Sequence, residues 1–128
     1  MRDGVVAVLV RGERLLYIQR AEALAFGGYW CPLSGKVEPG ESQAHAVVRE
    51  VREEVGLEVR AVRKVWECPT EGADYLLHWW LVDEDGGDLV LDPREVADAG
   101  WFTRDEIFGL SPSFEADRLF VDRVLPAL

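Results

Sequence analysis

The feature that most constrains how this chain folds is the block Gly35 to Leu57, GKVEPGESQAHAVVREVREEVGL. It spells out an extended entry, a helix and both helix ends. Pro39-Gly40 stops the extended segment. Ser42 is placed as an N-cap, its hydroxyl accepting from an otherwise orphaned backbone N–H. Val47, Val48, Val51 and Val55 recur at helical spacing and predict a core stripe. Gly56 falls where a left-handed C′ residue ends a helix. Valine is a poor helix former, so packing has to hold this helix more than propensity does.

The other face of the same helix carries charge. Glu50, Glu53 and Glu54 stand at i, i+3 and i+4, so their side chains share one face and repel one another. A chain that concentrates carboxylates in this way needs a compensating cation. Hard oxygen ligands on one rigid element suit Mg²⁺ or Mn²⁺ and do not suit zinc.

The rest of the chain predicts a sheet around this helix. Val5 to Val10 is continuously apolar and reads as a strand buried on both faces. Arg11-Gly12-Glu13 turns it into a return strand, Leu15 to Gln19. Ala21 to Tyr29 reads as a loop broken at Gly27-Gly28. Leu57 to Trp66 and Tyr75 to Val82 read as further strands, the second central because both its faces are apolar. Asp83 to Asp88 reads as a tight turn; it lacks the spaced ligands and terminal Glu of a calcium loop. Ala99 to Phe102 is a short strand. Thr103-Arg104-Asp105-Glu106 is a capping box, and Gly109 ends the short helix it opens. Ser113 to Leu125 reads as a last helix, with Ala116, Leu119, Phe120 and Val124 as its core stripe. Strands on both sides of two or three helices imply an α/β chain with a mixed sheet covered on both faces.

Composition sets the limits. With 128 residues, 48% of them hydrophobic, the chain is expected to fold as one domain over residues 1–128 with a sizeable core. A net charge of −10 argues against a nucleic-acid polymer as the main partner, since phosphate backbones call for clustered Lys and Arg. It does not exclude a small phosphate ligand, because a bound divalent ion reverses the local sign of charge. Cys31 and Cys68 make neither a disulfide scaffold nor a zinc spacing, and read as reduced thiols in a cytoplasmic protein. The apolar run near the start is too short for a signal peptide or a membrane span.

The block Gly35–Leu57 matches every fixed position of the Nudix box: Gly35, Glu41, Arg49-Glu50-Val51, Glu53-Glu54 and Gly56-Leu57 at the required gaps. The chain thus resembles the Nudix hydrolases. Trp30 upstream and Ala99-Gly100-Trp101-Phe102 before a short acidic helix resemble the family too. The resemblance implies a Nudix-type α/β/α sandwich and hydrolysis of a nucleoside diphosphate linked to another group, by water attack at phosphorus. It implies that Glu50, Glu53 and Glu54 bind the divalent metal (Mg²⁺ or Mn²⁺), with the Gly35 carbonyl as a further ligand and Glu41 assisting through the water shell. Arg49 would hold the glutamates in place. The general base stays open between Glu53, Glu54 and Glu95, because family members differ there. One departure stands out. Many members have Pro-Gly-Gly ending at the first box glycine; here it is Leu33-Ser34-Gly35, which predicts a differently shaped loop under the Gly35 carbonyl.

Arg20 and Lys36 are candidate phosphate contacts, against surface readings as an ion pair and a loop lysine. Tyr29, Trp30, Tyr75, Trp79 and Trp80 are candidates to stack on a base, though most aromatics in a chain this size pack in the core. His45 reads as exposed, and His78 as a satisfied, half-buried histidine. Tyr75 lies near where dinucleoside polyphosphate hydrolases place a tyrosine. Pro69 is out of register with the proline of ADP-ribose hydrolases, and no coenzyme A or NADH motif is present. The expected partner is a small nucleotide; a homodimer stays open. The expected substrate class is a nucleoside triphosphate or dinucleoside polyphosphate; the rival readings are an ADP-ribose or nucleotide-sugar pyrophosphatase, a nucleotide sensor that does not hydrolyse, and an acidic helix that recruits a basic partner.

Overall fold

The computed structural model describes residues 1–70 and 74–128. Strand β1 (Arg2–Arg11) organises the molecule. Its first part pairs antiparallel with β4 (Leu33–Lys36) and parallel with β6 (Tyr75–Gly87), and β6 pairs antiparallel with the outer strand β5 (Leu57–Pro69). The far end of β1 turns at Gly12-Glu13 into β2 (Arg14–Arg20), which pairs antiparallel with β3 (Trp30–Cys31) and β7 (Val96–Thr103). The parallel β1–β6 pair makes the sheet mixed, and β6 is central as its two apolar faces require.

Alternate residues of β1 point into two cores. Val5, Ala7 and Leu9 pack with Ala46, Val47, Val51 and Val55 of helix α1 (Gln43–Val55). Val6 and Val8 pack on the other side with Ile107 of α2 (Arg104–Phe108) and with Phe120 and Val121 of the C-terminal segment. Helices therefore cover both faces of the sheet, the expected α/β/α layering. Helix α1 carries both expected caps: Ser42 Oγ accepts from the His45 N–H, and Gly56 closes the helix at φ 77°. The box Thr103–Glu106 also forms in full.

Three expectations are corrected. Asp83 to Asp88 is no tight turn: β6 runs on through Gly87, because Asp83, Glu84, Gly86 and Gly87 are paired with Arg60, Val59, Glu58 and Leu57 of β5. A neighbouring strand has overridden the local turn signal. Ser34 shapes no special loop, since Leu33–Lys36 is a regular strand in register with β1 and Ser34 faces Val6. The C-terminal segment is no continuous α-helix: α3 (Glu115–Leu119) widens into a π turn over Phe120–Val124. Phe120 stacks on the fully buried Trp79 with ring centroids 4.3 Å apart, and this anchor sets the rotation. Leu119 faces outward, and Asp117, three residues before Phe120 on the same helical stripe, is buried in its stead. Among the described residues, no helix is long and apolar enough to cross a membrane.

Candidate active site

Arg49 is the hub of the glutamate face. Its Nε and a terminal nitrogen donate to both oxygens of Glu41 at 2.7 and 2.8 Å. The other terminal nitrogen donates to Glu50 at 2.9 Å and Glu53 at 3.1 Å, and a further bond reaches the Lys36 carbonyl at 3.0 Å. The bidentate guanidinium contact holds the Glu41 carboxyl at about 2, well below its ordinary value. Arg49 thus ties Glu41, Glu50 and Glu53 together through one guanidinium.

Gly35 on β4 lies directly against Glu50. A Cβ at this position would sit inside the Glu50 carboxylate, so any larger residue displaces either the strand or the glutamate. Burial pushes the Glu50 carboxyl up against the pull of Arg49. Glu54 is more extreme: burial, with the charges of Glu50 and Glu95 beside it, pushes it up to about 9. Its Oε2 is buried without a hydrogen-bond partner among the described residues. Glu53 is the exposed member, with 58% of its side chain accessible.

These groups fit a hard divalent ion. The donors are all oxygens, and Glu54 presents an orphaned carboxylate oxygen. Among the described residues, no three His, Cys, Asp or Glu side chains already converge on one point. Arg49 instead occupies Glu50 and Glu53.

The carboxylates open onto a cleft of about 1360 Å³ lined by Arg20, Lys36, Glu95, Asp117 and Tyr75, among others. That exceeds the roughly 300–1,000 Å³ of typical small-ligand sites. Arg20, at the end of β2, donates to the Ala25 carbonyl at 2.9 Å and draws the Glu54 carboxyl downward. Glu95 arrives from the β6–β7 connection. The Asp92 N–H bonds to the Glu54 carbonyl and the Ala21 N–H to the Glu95 carbonyl, so the segment is pinned against α1 and β2. Lys36 and Tyr75 stand on the β4 and β6 side.

The same cleft is lined by an aromatic cluster that the sequence reveals only in part. Tyr29 was a candidate, but its partners Phe26 and Phe114 were not. The three rings lie with centroids 4.8–5.3 Å apart. Phe26 is 54% exposed and held at φ 56°, a strained conformation for a bulky residue. An aromatic directly before the Gly27-Gly28 breaker, in a loop that also ends on Tyr29, was the available signal. Phe114 comes alongside because the Trp30 N–H bonds to the Pro112 carbonyl and Trp30 bridges to Ser113. The same segment delivers Asp117 to the cleft. Asp117 is only 7% exposed and accepts no hydrogen bond among the described residues, and desolvation raises its carboxyl to about 7.

Other candidate aromatics are structural. Trp79 is in the core, Trp30 packs edge-on against Phe102, and the Trp80 indole N–H donates to Gln43. His78 is fully buried rather than half-buried, and only partly satisfied: Nε2 lies 2.9 Å from Asp3, while Nδ1 has no hydrogen-bond partner among the described residues. His45 is exposed.

A model of the NUDIX domain matches residues 1–124. The NAD-capped RNA hydrolase NudC of Pectobacterium atrosepticum is 35% identical over 122 residues, covering 94% of this chain and 46% of that protein. The NudC of Deinococcus radiodurans is 41% identical over 96 residues, covering 75% of this chain and 34% of that protein. The chain therefore spans less than half the length of these relatives. The crystal structure of a MutT NUDIX hydrolase from Burkholderia pseudomallei superposes with a TM-score of 0.81 at 28% identity, covering 96% of this chain and 97% of that one. The box geometry, the layered fold and these matches agree: the chain belongs to the Nudix hydrolase family.

Proposed function

We propose that this Nudix pyrophosphohydrolase acts through one domain, residues 1–128, on a nucleoside triphosphate or dinucleoside polyphosphate, cleaving the pyrophosphate linkage by water attack at phosphorus. The observation that carries the reading is the Arg49-braced carboxylate face opening onto the cleft with Glu54 Oε2 unsatisfied. Glu50, Glu53, Glu54 and the Gly35 carbonyl would hold Mg²⁺ or Mn²⁺, with Glu41 assisting through its water shell. A divalent ion, when bound, supplies neutralisation of the pyrophosphate and leaving-group oxygens.

The chain's own residues do the rest. Arg20 and Lys36 take the substrate phosphates. Phe26, Tyr29 and Phe114 stack on the base, and Asp117 offers that end a buried polar group to orient it. Glu53, Glu54 and Glu95 are the carboxylates within the site able to take a proton from water. Glu95 is the only one of these three outside the box helix, so it alone is not committed by position to the cation.

A second reading is favoured by the identity to two NudC proteins: the nucleotide is the capped end of an RNA chain. The net charge of −10 weighs against it. Nucleoside triphosphates, dinucleoside polyphosphates, ADP-ribose and NAD-capped RNA, each incubated with Mg²⁺ or Mn²⁺ in ¹⁸O-labelled water, separate the two. The product carrying the label identifies the attacked phosphorus. Saturable binding without turnover of any substrate would refute hydrolysis and leave a nucleotide sensor.

A further inference from the structure

In this acidic chain, most cationic side chains are held by carboxylates. Arg11 bonds to Glu84, Arg14 to Glu106, Arg52 to Glu58 and Arg60 to Asp83. Among the described residues, Arg2, Arg20, Lys36, Arg63 and Arg118 have no carboxylate partner. Arg118 is held by Ser113 and the Phe108 carbonyl, and Arg63 lies on the outer strand β5. The other three converge on the cleft and its continuation.

That continuation is a groove of about 530 Å³ beyond the glutamate face, lined by Arg2, Lys36 and Tyr75 and by the Val37–Glu41 loop. It shares Lys36, Glu38 and Tyr75 with the main cleft, so the two are continuous. The Tyr75 ring serves both cations: the Arg2 guanidinium is 4.5 Å and the Lys36 ammonium 6.0 Å from its centroid. The Tyr75 hydroxyl is buried, so its ring face, rather than its oxygen, faces the groove. A cation over a ring is oriented without being neutralised, and keeps its full charge for a ligand. Of the carboxylates lining the groove, Glu41 is clamped by Arg49, and Asp3 is hydrogen-bonded to His78 with its side chain half exposed. Glu38 remains exposed at the rim.

We infer that Arg2 and Lys36, oriented by Tyr75, form a second anion subsite that takes a phosphate lying beyond the scissile linkage. The preferred substrate then carries a phosphate tail, as a nucleoside triphosphate or longer polyphosphate does, and a nucleoside diphosphate joined to a neutral sugar leaves the subsite unused. This rests on the hydrolytic reading of the glutamate face and deepens it.

The test compares the parent chain with Arg2→Gln and Tyr75→Leu on ATP, adenosine tetraphosphate, ADP-ribose and a NAD-capped dinucleotide in Mg²⁺. For Arg2→Gln, kcat/KM on the two polyphosphates is expected to fall at least tenfold further than on ADP-ribose, mostly through KM. Tyr75→Leu is expected to show the same selectivity change, more weakly. Equal losses on ATP and ADP-ribose, or none, would overturn the subsite. A loss confined to the capped dinucleotide would also overturn it, giving the groove to a phosphodiester. Calorimetry with inorganic tripolyphosphate and Mg²⁺ keeps the test independent of turnover. Binding is expected to weaken about tenfold in Arg2→Gln, and unchanged binding refutes the subsite even if no substrate is hydrolysed. Failure of the hydrolytic reading alone would leave that binding difference in place.

Discussion

Asp117 gives the sharpest quantitative test. Desolvation raises its carboxyl from 3.8 to about 7, and the side chain accepts no hydrogen bond among the described residues. In the unfolded chain the group ionises near pH 4; in the folded chain it keeps its proton to about pH 7. Between those values the folded state binds more protons than the unfolded state, so stability falls as pH rises and levels off above pH 7. A shift of about three units, at about 1.4 kcal/mol each, puts the full effect near 4 kcal/mol. Asp117→Asn keeps the shape and cannot ionise. Urea unfolding of both proteins from pH 4 to 9 should show a difference that is small at pH 4 and grows in favour of the variant. The difference should then be flat above pH 7. The Glu54 carboxyl, pushed up to about 9, has a pH dependence of the same sign, but it is present in both proteins and cancels. A difference that does not change with pH would refute the assignment. A difference that grows in favour of the parent would show Asp117 ionised and paired, most simply with the adjacent Arg118.

Four further outcomes follow from the same contacts. Gly35→Ala drives a methyl group into the Glu50 carboxylate and should cost about 1–3 kcal/mol in chemical denaturation, together with nearly all activity. Glu54→Gln removes a buried carboxylate that lacks a partner, so it should raise the melting temperature without added metal and abolish the further rise with Mn²⁺ that is expected of the parent. Arg49→Ala frees Glu41, Glu50 and Glu53 to repel one another. Turnover should fall by orders of magnitude, and the melting temperature should drop most at low ionic strength. Phe26→Gly relieves the φ 56° strain and removes a ring, so stability should hold or rise while KM for nucleotides increases about 5- to 150-fold, the roughly 1–3 kcal/mol of a base stack.

What the sequence made legible was local. Ser42, Gly56 and the Thr103 box cap helices through bonds a few residues long, and all three form as expected. The Val47, Val51 and Val55 stripe is set by one periodicity and lands in one core. What was missed depends on distant pairing. Asp83–Gly87 has the composition of a turn and becomes strand only because β5 lies alongside. Arg2 meets Tyr75 because β1 and β6 run parallel with those two residues in register. Phe114 and Asp117 reach the cleft through the bridge from Trp30 to Ser113, which no spacing announces. Leu119 was misplaced because the inward stripe at helical spacing is Asp117, Phe120, Val121 and Val124, anchored where Phe120 seats on Trp79, and a polar Asp117 on it hides that phase from the sequence. The box was therefore readable at once, whereas Arg2, Phe114 and Asp117, which long-range pairing brings to the cleft and its continuation, were not.

The sign of charge in the cleft finally constrains the order of events. Glu38, Glu50, Glu53 and Glu95 line the same space as Arg20 and Lys36, and Arg94 there is already paired with Asp92. Two unpaired cations do not offset that many carboxylates, so a polyphosphate entering alone meets net repulsion. A divalent ion reverses the balance at the point where the phosphates must sit. Nucleotide affinity should therefore depend steeply on the cation, well beyond what the nucleotide's own metal chelation explains. Calorimetric titration of a non-hydrolysable ATP analogue is expected to show at least about 100-fold tighter binding with Mg²⁺ than with chelator, roughly 2.7 kcal/mol. In Glu53→Gln/Glu54→Gln the gap should shrink from both directions, because the cation loses ligands and the bare cleft loses repulsion. Equal affinity with and without Mg²⁺ in the parent chain would mean that the base end alone holds the substrate, and that the glutamate face plays no part in capturing it.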